Sequence, residues 1–134
     1  MKKLMKFSTK AEYGLKAAIN LAIAYPESKP LSTIAGEENV SQKYLERIIS
    51  SLKKNGIVIA QKGKSGGYTL SSKPSAVTVK RVVEALEGPI APVKCVTSCC
   101  SSRNKCPSSH VWILLAQKIG QTLEAITLES FIKK

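Results

Sequence analysis

At 134 residues the chain has room for one domain, or one domain with an appendage, and 43% hydrophobic content excludes wholesale disorder. No apolar run approaches the ~20 residues that span a bilayer. The basic start MKKLMKF leads into a stretch broken by Lys10, Glu12 and Lys16, which argues against a signal peptide, so a cytoplasmic protein without membrane contact is expected.

Ser8 to Tyr25 predicts a helix capped by Ser8 or Thr9, with Glu12 in its first turn and Leu15, Ile19, Ala22 and Ile23 as the buried stripe. Gly14 and the alanines permit close approach of another helix, and Pro26 ends the element. Leu31 to Asn39 predicts a short helix capped by Ser32 or Thr33. Ser41 caps the next, in which Leu45, Ile48, Ile49 and Leu52 share one face by their i, i+3, i+4, i+7 spacing. Gly56 suits the left-handed residue that closes it. Ile57 to Ile59 and Tyr68 to Leu70 then flank the basic, glycine-rich Gln61 to Gly67, which predicts a hairpin with a longer loop. Short helices, a turn, a basic helix and a hairpin make a winged helix-turn-helix.

The net charge is +12, and no acid is an aspartate. From Ser41 to Arg81 there are nine bases against the single acid Glu46, so +8 of the +12 falls on the helix–hairpin segment. A solvated basic face is the bland explanation. Coincidence with this pattern favours double-stranded DNA, since a polyanion rewards clustered Lys and Arg by counterion release. A membrane surface would need large apolar side chains beside the bases.

After the hairpin, Thr78 caps a helix through Leu86 that stops at Gly88-Pro89. Pro92 to Lys105 has no helical or strand period and reads as a loop. Pro107 suits the first position of a helix that runs to about Ile126. Along it Trp112, Leu115, Ile119, Leu123 and Ile126 form a near-heptad stripe, with Val111 and Leu114 as a second apolar set. This is more apolar surface than one small head covers, so packing against a second copy is expected, with burial inside the subunit as the alternative. Thr127 starts a short terminal helix. The expected organisation is a DNA-binding domain over 1–88, a cysteine-rich loop over 89–106, and dimerisation and terminal helices over 107–134.

All four cysteines lie between 95 and 106, as C-x3-C-C-x5-C, with His110 following. In a cytosolic chain such clustering points to metal or redox chemistry. The spacing lacks the paired C-x2-C knuckles of a zinc ribbon. Thiolates also hold iron–sulfur clusters, and Lys94, Arg103 and Lys105 favour the thiolate form. Metal-free reactive thiols are the second reading and zinc the third.

The stretches STKAEYGLKAAINLA, YLERIISSLKKNGIV and GKSGGYTL, with a cysteine loop leading into CPSSHVW, resemble the IscR/NsrR/CymR-type family of bacterial transcription regulators. Nearly the whole chain takes part, and the pattern is nearest the iron–sulfur cluster regulators of that family. The resemblance implies a dimeric winged helix-turn-helix, mainly α with a small β-hairpin and a long C-terminal dimerisation helix. In sensing members it implies a 2Fe–2S or 4Fe–4S cluster, the former favoured. It places DNA contacts at Ser41, Lys43, Tyr44, Glu46 and Arg47 and, in the wing, at Lys62 and Gly63. Chemistry suits these assignments: Arg47 and Lys43 can read guanine edges, Ser41 and Tyr44 hold phosphates, Lys62 enters the minor groove, and Glu46 accepts from cytosine. Partial burial is the alternative for Tyr44, and a surface pair with a lysine for Glu46.

The family's cluster cysteines match Cys95, Cys100 and Cys106, with Cys99 as rival for the middle place. The first gap is short and one cysteine is extra. For the fourth ligand the resemblance implies His110, one residue beyond the family's histidine place, which Ser109 occupies here, or Glu12 of the partner subunit as in nitric-oxide-sensing relatives, or else solvent or none. The function so implied is a repressor of iron–sulfur cluster biogenesis genes that binds a pseudo-palindromic operator. Its rivals are a metal-free thiol- or partner-sensing regulator of sulfur metabolism, a nitric-oxide-sensing repressor, and a cluster carrier. With no aspartate, one histidine and no nucleophile–base pair, enzymatic activity is not expected.

Overall fold

A computed structural model of the chain describes residues 8–63, 66–89 and 108–132. Helix α1 (Thr9–Ala24) starts where the Ser8 hydroxyl accepts the Ala11 N–H at 3.2 Å, and Glu12 lies in its first turn. Its buried face is not the expected stripe. Of that stripe only Ala22 is buried; Leu15 and Ile19 are half-buried and Ile23 is 60% exposed. Ala11, Gly14, Ala17, Ala18 and Leu21 face inward instead. The cause is the closeness of the neighbouring helices. A Cβ on Gly14 would stand 2.0 Å from Leu86 Cδ1 and 3.4 Å from Ile48 Cγ2, so the small residues take the interface.

Helix α2 (Leu31–Glu38) also begins differently from expectation, with Pro30 at the cap and no side-chain capping bond. Proline already holds the extended backbone that a cap needs, and Ser32 and Thr33 fall inside the first turn. Asn39, at φ 56° and ψ 48°, closes the helix in the left-handed region. Helix α3 (Gln42–Lys54) follows its sequence. Ser41 accepts the Tyr44 N–H at 3.1 Å, and Leu45, Ile48, Ile49 and Leu52 are all buried. At about 2 kcal/mol each, these four side chains anchor a helix whose other face is polar.

Strands β1 (Val58–Gln61) and β2 (Gly67–Leu70) pair antiparallel, from Val58 opposite Leu70 to Gln61 opposite Gly67. Lys29 adds a third, one-residue strand: its N–H bonds Tyr68 O and its C=O accepts the Tyr68 N–H, both at 2.9 Å. After a 3-10 turn (Pro74–Ala76), α4 (Val79–Glu87) is capped by Thr78, which accepts the Arg81 N–H. Val79, Val82, Val83 and Leu86 face the core.

Helix α5 (Ser109–Glu124) buries only Ser109 and Gly120; Pro107, its expected first residue, lies outside the described residues. The expected terminal helix is a 3-10 turn (Leu128–Phe131). It returns to the head: Thr127 bridges Thr78, Leu128 N–H bonds Val77 O at 3.0 Å, and the Leu128 side chain is fully buried. The core therefore joins α1, α3 and α4 with Ile57, Leu70, Val77 and Leu128.

Candidate nucleic-acid interface

Burial of one face of α3 leaves Lys43, Glu46 and Arg47 exposed on the other, together with Ser50, Lys53 and Lys54. Lys43, Glu46, Arg47, Ser50 and Ser51 line a shallow groove that Lys10 of α1 completes. Lys10 was invisible as part of this surface in the sequence, because only tertiary packing brings α1 beside α3. Glu46 forms no ion pair among the described residues, contrary to the surface-pair alternative. Tyr44 is half-buried, its ring edge-on to Tyr13 with centroids 6.1 Å apart at 85°. Ser41 spends an oxygen lone pair on capping α3, which leaves its O–H to donate. In the wing Lys62 and Gly63 are exposed, and Gly63 has φ +114°.

The nine bases of the segment do not play one role. Arg81 donates from Nη2 to Asn55 O at 3.4 Å and Gly56 O at 3.3 Å, at the negative end of the α3 dipole, and Gly56 O also accepts the Ser71 hydroxyl. Lys80 lies 3.7 Å from Glu124 of α5, and Lys64 falls outside the described residues. Lys43, Arg47, Lys53, Lys54, Lys62 and Lys73 remain exposed for a polyanion.

A polar cluster fixes the wing to the helices. The Lys29 ammonium, whose backbone carries the third strand, bonds Glu37 and Asn20, and Asn20 Nδ2 donates to Glu37 and Glu38 at 3.0 Å. The Lys29 bond, then that from Asn20, holds the Glu37 carboxyl below its ordinary range.

A helix-turn-helix made by α2 and α3, with β1 and β2 as its wing, is what the comparisons with known proteins return. The profile of Rrf2, described as an iron-dependent transcriptional regulator, matches residues 7–134. The chain belongs to the Rrf2 family of transcriptional regulators. Among Rrf2 relatives, the HTH-type transcriptional regulator CymR of Bacillus subtilis is 36% identical over 126 residues, covering 93% of this chain and 88% of that protein. The HTH-type regulator IscR of Yersinia pseudotuberculosis is 30% identical over 130 residues, covering 96% and 79%. The solved structure of B. subtilis CymR, the global cysteine regulator of that organism, superposes with a TM-score of 0.76 at 35% identity, over 94% of this chain and 95% of the other. The expected fold, mainly α with a small hairpin and a long C-terminal helix, is that of this Rrf2 chain. No described helix is long and apolar enough to cross a membrane.

Cys95, Cys99, Cys100 and Cys106 of this Rrf2 chain lie outside the described residues. The two candidates for a fourth ligand are both exposed, Glu12 in the first turn of α1 and His110 in the first turn of α5. Among the described residues no three His, Cys, Asp or Glu side chains gather as a metal site.

Proposed function

We propose that this Rrf2 regulator is a homodimeric repressor whose operator binding is set by an iron–sulfur cluster, 2Fe–2S in preference to 4Fe–4S, on Cys95, Cys100 and Cys106. Cys99 is the rival for the middle place, and His110 or Glu12 of the partner subunit is the fourth ligand. The observation that carries the sensing half is four cysteines within residues 95–106, in the segment joining α4 to α5. Thiolates favoured by Lys94, Arg103 and Lys105 form a donor set that suits such a cluster. A bound cluster supplies an oxidation- and iron-sensitive centre, and its presence biases the protein between two operator affinities. The iron-dependent description of the family and the likeness to IscR support this reading, with cluster biogenesis genes as targets.

DNA reading rests on the exposed face of α3. Arg47 and Lys43 contact guanine edges, Glu46 selects at a cytosine, Ser41 and Tyr44 hold phosphates, and Lys62 and Gly63 bring the wing to the minor groove. The partner for a palindromic site is a second copy, docked through the α5 side chains that the head leaves uncovered, Val111 at 55% and Leu114 at 45% exposure. The domains are the head over 1–88, the cysteine segment over 89–106, and the dimerisation part over 107–134.

The test is anaerobic purification with a visible spectrum and iron and sulfide counts, followed by operator binding across a salt series. Stoichiometric iron and sulfide with visible charge-transfer bands support the cluster. Each phosphate contact removed should flatten the log–log salt slope of operator binding by about 0.9. The 36% identity to CymR favours one second reading, a metal-free regulator that senses sulfur status through thiols. A colourless, iron-free protein that resists reconstitution would select it.

A further inference from the structure

We propose that Arg81 is the positioning residue through which the state of the cysteine segment reaches the recognition helix. This rests on the reading above that the segment has two states, and it adds a route inside one protomer.

Helix α4 is where the segment and the head meet. The chain leaves α4 at Gly88, with φ +86°, and one residue later enters 90–107, which holds every cysteine. Three side chains then tie α4 to its surroundings. Glu87, its last residue, accepts the Ser8 N–H at 3.0 Å and the Ser8 hydroxyl, and Ser8 caps α1. Lys80 faces Glu124 on α5, the helix that follows the segment. Arg81 reaches the opposite way, to the carbonyls of Asn55 and Gly56 at the end of α3.

Among the described residues Arg81 is the only side chain of α4 hydrogen-bonded to the end of α3. The apolar contacts between these helices resist separation but are less directional. The Arg81 bonds are directional and charge-assisted, and they close on the end of the helix that carries Lys43, Glu46 and Arg47: Asn55 O takes Arg81, and Gly56 O shares Arg81 with the Ser71 hydroxyl. Gly56 sits at φ +73°, a left-handed backbone that glycine adopts without strain, and a Cβ there would only touch Arg81 Nη2, at 3.6 Å. A displacement of α4 along its axis therefore changes the end of α3 through this side chain.

The experiment uses the full chain and an operator duplex. Cluster-loaded and cluster-stripped protein are compared for the wild type, Arg81→Gln and Arg81→Lys. If no cluster loads, reduced and maleimide-alkylated chains serve as the two states. The wild type should bind with two affinities, and Arg81→Gln should shrink their ratio by about fivefold or more towards unity. Arg81→Lys should restore part of it, since an ammonium donates to the same carbonyls. Amide exchange at Asn55, Gly56 and Ile57 should differ between the two states in the wild type and not in Arg81→Gln. An equal loss in both states, with the salt slope flattened by about 0.9, would make Arg81 an ordinary phosphate contact and overturn the assignment. A ratio that survives Arg81→Gln overturns it while leaving the switch intact. Equal affinities in the wild type refute the switch itself, and the assignment falls with it.

Discussion

Gly67 is the residue on which the wing depends, and Gly67→Ala measures how much. Its backbone sits at φ +152°, and an added Cβ would meet Lys29 O at 2.3 Å, Lys29 C at 2.4 Å and Pro30 N at 2.7 Å. All three atoms are backbone, so no rotamer relieves the clash. Accommodation must open the Lys29–Tyr68 bridge, with its two 2.9 Å hydrogen bonds worth about 1 kcal/mol each. Alanine at this φ adds about 1–3 kcal/mol of strain. The expected loss is therefore about 3–5 kcal/mol, within the roughly 5–15 kcal/mol that a domain holds. The assay is urea unfolding followed by circular dichroism at fixed protein concentration, with the slope unchanged and the midpoint lowered. Gly63→Ala is the control. It shares a positive φ, +114°, but meets nothing within 4 Å, so it carries only the strain. Equal losses in the two variants, or a Gly67→Ala loss below about 1 kcal/mol, would refute the steric account.

The Thr69 hydroxyl is buried without a partner among the described residues, so Thr69→Val should raise stability by about 1 kcal/mol; a lower urea midpoint would mean the hydroxyl is satisfied. Glu37 titrates below its ordinary value of 4.5 because Lys29, then Asn20, bonds its carboxylate. Its stabilisation is thus present above that value and lost as pH falls through the lower, folded-state pKa. Glu37→Gln should flatten the acid limb of a stability–pH profile below about pH 4.5 and leave its dependence near neutrality unchanged. Leu114→Glu places a charge on an exposed apolar position of α5, and sedimentation should show a monomer with an intact head. A dimer that persists would move the interface elsewhere.

What the sequence made legible follows the range of the forces involved. Helix α3 could be read residue by residue, because its cap, its apolar face and its exposed bases are all set by neighbours within one or two turns. Helix α1 misled the same method. Periodicity alone turns its large aliphatic residues inward, whereas the short distance to Leu86 and Ile48 gives the interface to glycine and alanine. The cap of α2 differs for a local reason: the Pro30 ring fixes the extended backbone of the cap position, so α2 starts there without a side-chain capping bond and Ser32 and Thr33 fall inside its first turn. For the candidate site, the bases were legible as a total and not as a division of labour. Nothing near Arg81 in sequence signals the carbonyls 25 and 26 positions away that it caps, and Lys10 joins the α3 groove only through packing. The third strand of the wing, a single residue at Lys29, is too short to leave a periodic signal.

The apolar excess of α5 is explained by how its far end is held. Val79 N–H bonds Ile126 O at 2.8 Å, Thr127 bridges Thr78, and Leu128 drops into the core, so the chain after α5 is built into the base of α4. Lys80 and Glu124 repeat that attachment on the surface. Near its start, by contrast, Val111 and Leu114 stand more than two-fifths exposed. A helix fixed at one end and uncovered near the other presents apolar surface beside the residues that follow the cysteines in sequence. Docking of a second copy there would place the dimer contact and the cysteine segment next to each other. A change in the segment would then act on two attachments at once, the uncovered part of α5 and the α4 end tied to Ser8.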